Sequence, residues 1–332
     1  MKVEDKFLRG TRPGAGSPGK PESPVWDLGG EHPSIVVADV ASRPRQNGHL
    51  IVFANLKGGV GKSTLAFHTA IALADAGMKV ACIDLDYAQA TLSRALTNRE
   101  ATCRLLKTWL PMPRHTALAQ QSGAYLSQEI ARIGSDCEFI IIDAAGSDTP
   151  VMRRAIAMAD TIVTPLSCSF ADLDVLGQFD AHSRKMLRLG HFARLVQALL
   201  AQKQAMNLKI PDWVVMPNRG RQTGSLNEEA ARQALLKIAR KAGFRIGNGL
   251  GERVAYRELF LFGLTHIDLK RIPKLAKVKA CARREIEGLL VDMRLPLDDP
   301  DQPNLFPLND NSGAAPDRPT QPVRAVRERR SR

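Results

Sequence analysis

Asn55-Leu56-Lys57-Gly58-Gly59-Val60-Gly61-Lys62-Ser63-Thr64 decides the fold of this 332-residue chain. Gly61-Lys62-Ser63 closes the pattern of a phosphate-binding loop, although the position five places before Gly61 is Leu56 and not glycine. Polyphosphate must be wrapped at close range by backbone N–H groups, which the side-chain-free Gly58, Gly59 and Gly61 permit. Lys62 offers a point charge to the β- and γ-phosphates. The Ser63 hydroxyl suits Mg²⁺, and Thr64 suits an α-phosphate at a helix N-terminus. Upstream, Leu50-Ile51-Val52-Phe53-Ala54 reads as a buried strand. Downstream, Leu65, Ala66, Thr69, Ala70 and Leu73 recur at helical spacing up to Gly77, a suitable cap.

Further out, short apolar runs alternate with helical patterns. Strands are expected over 50–55, 79–84, 138–143, 161–165, 213–216 and 244–246. Helices are expected over 63–76, 90–97, 118–133, 150–158, 173–189, 226–242 and 274–293. Near-continuous apolar strands between helices predict an α/β fold, a doubly wound, mostly parallel sheet with helices on both faces. Such sheets bind ligands at the C-terminal ends of their strands. The loop, Asp84-Leu85-Asp86 and Asp143 all fall there.

Asp143 ends an apolar strand and can hold Mg²⁺ beside Ser63, while Gly146 lets the following loop approach a γ-phosphate. Asp84 and Asp86 form a D-x-D at the end of another strand. Asp84 supports the Mg²⁺ shell, and Asp86 enters the loop to orient an attacking water. Lys57 cannot easily curl onto its own nucleotide. Across a face-to-face pair of subunits it can neutralise the partner's phosphates, as an arginine finger does.

The net charge of +13 sits almost wholly on 49–296, which favours a polyanionic partner. The five cysteines are scattered, with no C-x-x-C pair, as expected of reduced thiols in a cytoplasmic protein. No apolar run reaches a membrane span, and no membrane association is expected. Residues 1–48, rich in Pro, Gly and Ser, are expected to form a disordered arm. Residues 297–332 are expected to form a disordered Pro-rich tail with a basic tip, leaving 49–296 as the folded domain.

K-G-G-x-G-K-S-T followed by D-L-D resembles the deviant Walker A ATPases, the ParA/MinD superfamily. Asp212-Trp213-Val214-Val215-Met216-Pro217-Asn218-Arg219, Gly243-Phe244-Arg245-Ile246-Gly247-Asn248-Gly249-Leu250 and Tyr256-Arg257-Glu258-Leu259-Phe260 narrow the resemblance to the MipZ division-plane-positioning ATPases. The resemblance implies ATP and Mg²⁺ as cofactors and an ATP-dependent homodimer across which Lys57 reaches. It also implies slow, dimer-dependent hydrolysis requiring Asp86, and an adenine contact at Asn218. Implied partners are ParB, the tubulin-like FtsZ and non-specific DNA, with a nucleoid-associated polar gradient that places division. Tyr87-Ala88-Gln89-Ala90-Thr91 and Ala144-Ala145 depart from the family's usual residues after Asp86 and Asp143.

Arg219, Arg221, Arg232, Lys237, Arg240, Lys241, Arg245 and Arg253 are the candidates for DNA phosphates. They lie on a loop, a helix and a turn rather than in a reading-helix motif, so sequence-blind, salt-sensitive contacts are expected. A ParA-type partition ATPase differs mainly in partner. A MinD-like membrane-cycling ATPase would require a terminal amphipathic helix, which the Pro-rich tail does not offer. A cluster-bearing iron protein lacks its cysteine pattern.

Overall fold

The computed structural model describes residues 30–167, 170–180, 183–218, 226–251, 254–272 and 281–297. In chain order the elements begin with α1 (Pro33–Ala41), β1 (His49–Phe53), α2 (Lys62–Asp75), β2 (Val80–Asp84), α3 (Thr91–Leu106) and β3 (Arg114–Ala117). They continue with α4 (Gly123–Gly134), β4 (Phe139–Asp143), α5 (Pro150–Met158), β5 (Thr161–Ser167), α6 (Phe170–Leu173), β6 (Gly177–Phe179) and β7 (Met186–Leu189). The last are α7 (His191–Ala205), β8 (Asp212–Asn218), α8 (Leu226–Ala242), β9 (Arg245–Ile246), α9 (Val254–Leu261), a 3₁₀ turn (Asp268–Arg271) and α10 (Cys281–Met293).

Seven strands form one parallel sheet in the order β3-β2-β4-β1-β5-β8-β9. The central strands are apolar throughout because both faces are covered. In β4, Phe139, Ile140, Ile141 and Ile142 are all buried, each side chain worth about 1.5–3 kcal/mol on leaving water. Alternate strand residues (Leu50, Val52, Ala81, Ile83, Ile140, Ile142, Val215) join one core with α4, α5, α7 and α8. The intervening residues face the layer in which α2 packs on α3 and α10.

The phosphate-loop helix α2 ends as its sequence predicts. Gly77 takes φ +88°, Met78 N–H reaches Leu73 O at 3.1 Å, and Gly77 N–H reaches Ala74 O at 3.1 Å. These are the paired bonds of a Schellman cap.

Five elements differ from the sequence expectation, among them α9, which lies where no helix was expected. The helix expected over 173–189 is only α6 followed by the hairpin β6–β7. Gly177 lies where a side chain would strike Ile238, and Asp180 Oδ1 accepts from the Ser183 N–H and hydroxyl at 2.7 Å each, turning the chain. Helix α7 follows in a stretch for which no element was expected. β3 (Arg-His-Thr-Ala) carries no apolar run, because an edge strand is only half covered. Within the expected arm, residues 33–41 form α1, with Pro33 at its first turn and the His32 ring capping Ser34 N–H at 3.2 Å. Its Val36 and Val37 are fully buried in the core shared with α5 and α7. Residues 1–29 and 298–332 lie outside the described residues.

The C-terminal segment is pinned across α3 by a buried bidentate pair. Arg99 donates to Asp268 Oδ1 at 2.7 Å and Oδ2 at 2.8 Å, and to the carbonyls of Pro111 and Gly263 at 2.9 Å each. With each guanidinium nitrogen directed at an acceptor and a carboxylate paired against it, the charge is tolerated at zero exposure. No helix of the described residues is long and apolar enough to cross a membrane.

Candidate nucleotide site

The loop between β1 and α2 is shaped by two asparagines as much as by its glycines. Asn55 is buried at the end of β1. Its amide donates to Pro165 O at 2.7 Å, and its Oδ1 accepts the Lys57 N–H at 3.0 Å. Asn218, at the end of β8, is buried and donates to Val60 O at 2.9 Å. Gly61 takes φ +98° directly beneath that amide, where any side chain would collide with Asn218 Nδ2. The glycine is therefore required by both backbone conformation and space. Gly58 and Gly59 are exposed, leaving their backbone open on the outer side of the loop.

Lys62 is buried, and its Nζ donates to Lys57 O at 2.9 Å across the loop. Burial lowers its pKa, and the carboxylates of Asp143 and Asp86 oppose that by favouring the cation. Gly146 lies close against Lys62 and Gly58, so a side chain there would sit 3.5 Å from Lys62 Nζ.

Asp143 ends β4, paired in register with Phe53 and with Asp84 of β2. Its Oδ1 is buried with no hydrogen-bond partner. Burial, then the charge of Asp84, pushes its carboxyl up to about 8, while the Ser63 hydroxyl and Lys62 pull the other way. An orphaned carboxylate oxygen beside a hydroxyl at the head of α2 fits a hard cation with oxygen ligands. Ser63 and Asp143 are thus the residues suited to hold Mg²⁺.

The neighbouring Asp84 is differently employed. Its Oδ1 accepts Asp86 N–H at 3.0 Å, and its Oδ2 accepts Leu92 N–H at 3.0 Å and Ser93 N–H at 3.2 Å. It binds the end of β2 to the first turn of α3, so its direct service is to the loop rather than to a cation. Burial raises its pKa and the backbone donors lower it. Asp86 is half-buried at the loop entrance. Its Oδ1 accepts Gln89 N–H at 3.0 Å and its carbonyl accepts Ala90 N–H at 2.6 Å. Ala90 pays for that closure with a left-handed φ of +44°.

Lys57 Nζ lies 2.5 Å from Asp172 Oδ1, on α6. Asp172 was missed from the sequence, because it lies 115 residues away with nothing local to mark it. Asn55 was also missed, although an asparagine at the mouth of such a loop could have signalled a side-chain turn.

Of the expected DNA-contacting residues, Lys237, Arg240 and Lys241 are exposed on one face of α8. Arg232 is exposed on the same helix and engages Glu229 at 2.9 Å. Arg245 is bound bidentately to Asp212, which takes it out of an open basic face. Arg219, Arg221 and Arg253 lie outside the described residues.

A family model described as ATPase MipZ matches residues 49–297. The chain belongs to the MipZ ATPase family. This family sits among ParA/MinD-type ATPases. Protein ParA of Rhizobium radiobacter is 25% identical over 214 residues, 64% of this chain and 83% of the relative. The chromosome partitioning protein ParA of Myxococcus xanthus is 26% identical over 171 residues, 43% of this chain and 60% of the relative. Among solved structures, a variant of Cyanothece McdA in complex with ATP superposes with a TM-score of 0.53 at 19% identity, over 75% of this chain and 98% of that one. The last likeness shows the fold alone: the parallel sheet and helices of this MipZ-family chain are those of a ParA/MinD-like P-loop NTPase.

Proposed function

We propose that this MipZ-family ATPase is a nucleotide-driven switch: two subunits clasp two ATP molecules face to face, and Lys57 of each crosses to the other's phosphates. The observation that supports the reading most directly is the preformed loop of Gly58, Gly59, Gly61 and Lys62, set against a buried Asp143 whose Oδ1 lacks a partner. Lys62 and the loop amides hold the phosphates, and Thr64 reaches the α-phosphate. Ser63 and Asp143 hold Mg²⁺, with Asp84 supporting from behind. When bound, Mg²⁺ supplies charge neutralisation at the β- and γ-oxygens. Asp86 orients the attacking water. Asn218, already fixed on Val60 O, borders the adenine. Catalysis rests on positioning and charge, which fits slow hydrolysis confined to the dimer.

In the cell, the ATP dimer binds DNA through phosphates and restrains FtsZ assembly, and ParB recruits the monomer. The protein then forms a nucleoid-associated gradient from the poles, placing division between them. The exposed Lys237, Arg240 and Lys241 of α8 are the described residues best suited to DNA. Dimerisation doubles that patch and couples ATP to DNA. Within this account residues 49–296 carry the switch. The relatives named ParA support a second reading, a chromosome or plasmid partition ATPase with the same switch and a different cargo.

The test is a fluorescent fusion in living cells together with a DNA-retention assay. Polar gradients, with ATP-dependent and salt-sensitive DNA retention, support the division-placing switch. Tracking with plasmid foci would favour the partition reading. Retention indifferent to both ATP and salt would remove the role given to α8.

A further inference from the structure

At the end of the sheet opposite the phosphate loop, α1 and the chain after it roof a partly enclosed cavity of ≈ 170 Å³. Its floor is Leu50 at the start of β1, Ile130 of α4, Met158 at the end of α5 and Leu208 after α7. Val37 and Val40 of α1 close it from above. The roof precedes residue 49, where the family match begins.

Its polar groups are of one sign. The ionisable residues lining the cavity are Arg43, Arg45, Lys203 and Lys209, with no carboxylate among the lining residues. Asp160 stands behind and is shared, binding Arg45 and accepting from Lys209 Nζ at 3.0 Å and Leu50 N–H at 3.1 Å. One carboxylate thus serves two cations. Lys203 is only 6% exposed, and its Nζ hydrogen-bonds a neutral acceptor, Ala157 O, at 2.6 Å. Arg43 donates through one Nη to Asp39 at 2.6 Å, while its buried Nε has no partner. The buried ammonium is thus hydrogen-bonded to a neutral carbonyl and the buried guanidinium Nε to nothing, a costly arrangement in an apolar recess.

We propose that this cavity binds a small apolar carboxylate, its hydrocarbon body on Leu50, Ile130, Met158 and Leu208 and its carboxylate among Lys203, Arg43 and Arg45. The volume is comparable with the ~150 Å³ apolar cavities that take benzene, so a body of about six to eight carbons suits it. An inorganic anion would leave the apolar walls unused, and a neutral alcohol would leave the cations uncompensated. Burial lowers the Lys203 ammonium to about 8, with Asp160 opposing, and a bound carboxylate would add a second counter-charge. A ligand there touches α1, α5 and α7 together and so fastens α1 to the core.

The test is calorimetric titration of the full-length protein with octanoate, octanol and acetate. Octanoate should bind saturably, and octanol and acetate at least about tenfold more weakly. Lys203→Met should weaken octanoate by at least about tenfold. Ala41→Trp, at the exposed C-terminal end of α1, should block the recess. Circular dichroism melting of each variant verifies its fold, and Ala41→Trp carries the test if Lys203→Met does not fold. Absence of saturable octanoate binding, equal binding of octanol, or undiminished binding to a folded Ala41→Trp variant would each overturn the proposal.

Discussion

Lys57 and Asp172 hold one another within a single subunit, Nζ to Oδ1 at 2.5 Å. The lysine assigned to reach across a dimer is therefore parked on α6 of its own chain, and self-association must first break that pair. A partly exposed ion pair is worth about 0.2–1 kcal/mol. With one such pair broken in each subunit, Asp172→Ala should tighten ATP-dependent self-association by roughly two- to thirtyfold, measured by sedimentation across a protein concentration series. Lys57→Ala should leave nucleotide binding intact and remove the dimer.

Lys62→Ala should abolish nucleotide binding. The ammonium lies inside the loop, fixed on Lys57 O, and no other described cation is so placed. Titration with a fluorescent ATP analogue checks this, and a variant that still binds with wild-type affinity would contradict the loop's assignment.

Asp84 accepts three backbone N–H groups, that of Asp86 in the loop and those of Leu92 and Ser93 in the first turn of α3. Asp84→Ala strands those buried donors and should cost at least about 2 kcal/mol, read as a lower urea midpoint. A change within about 0.5 kcal/mol would show that the cap is dispensable.

Asp143 gives a pH signature in the nucleotide-free, metal-free protein. Its folded carboxyl titrates at about 8, against an ordinary 3.8 when unfolded. Between those values the folded state holds a proton that the unfolded state has released, so stability falls as pH rises through that window. Asp143→Asn lacks this slope. The variant's advantage in Tm should grow from pH 4 to pH 8 and level off above, with hydrolysis lost. Mg²⁺ with ATP should reverse the wild-type's decline.

The sequence revealed the five apolar strands of the sheet and its central loop because burial on both faces leaves continuous apolar runs. β3 was silent because Arg114, His115 and Thr116 at a sheet edge need no apolar pattern. The hairpin β6–β7 was mistaken for helix because its apolar residues also fit a helical spacing, and Gly177 against Ile238 is a tertiary fact. α1 was hidden among Pro and Gly, although Val36 and Val37 carry its packing. At the site, Lys62, Ser63 and Asp143 were legible from type and spacing. Asp172 was not, because its only link to Lys57 is the fold, and Arg245 looked available until Asp212 was placed beside it.

The most direct measurement is analytical ultracentrifugation of Asp86→Ala with ATP and Mg²⁺. The account predicts a stable dimer, since the clasp forms and the water-orienting carboxylate that would dissolve it is gone. A sedimenting monomer at saturating ATP would contradict it.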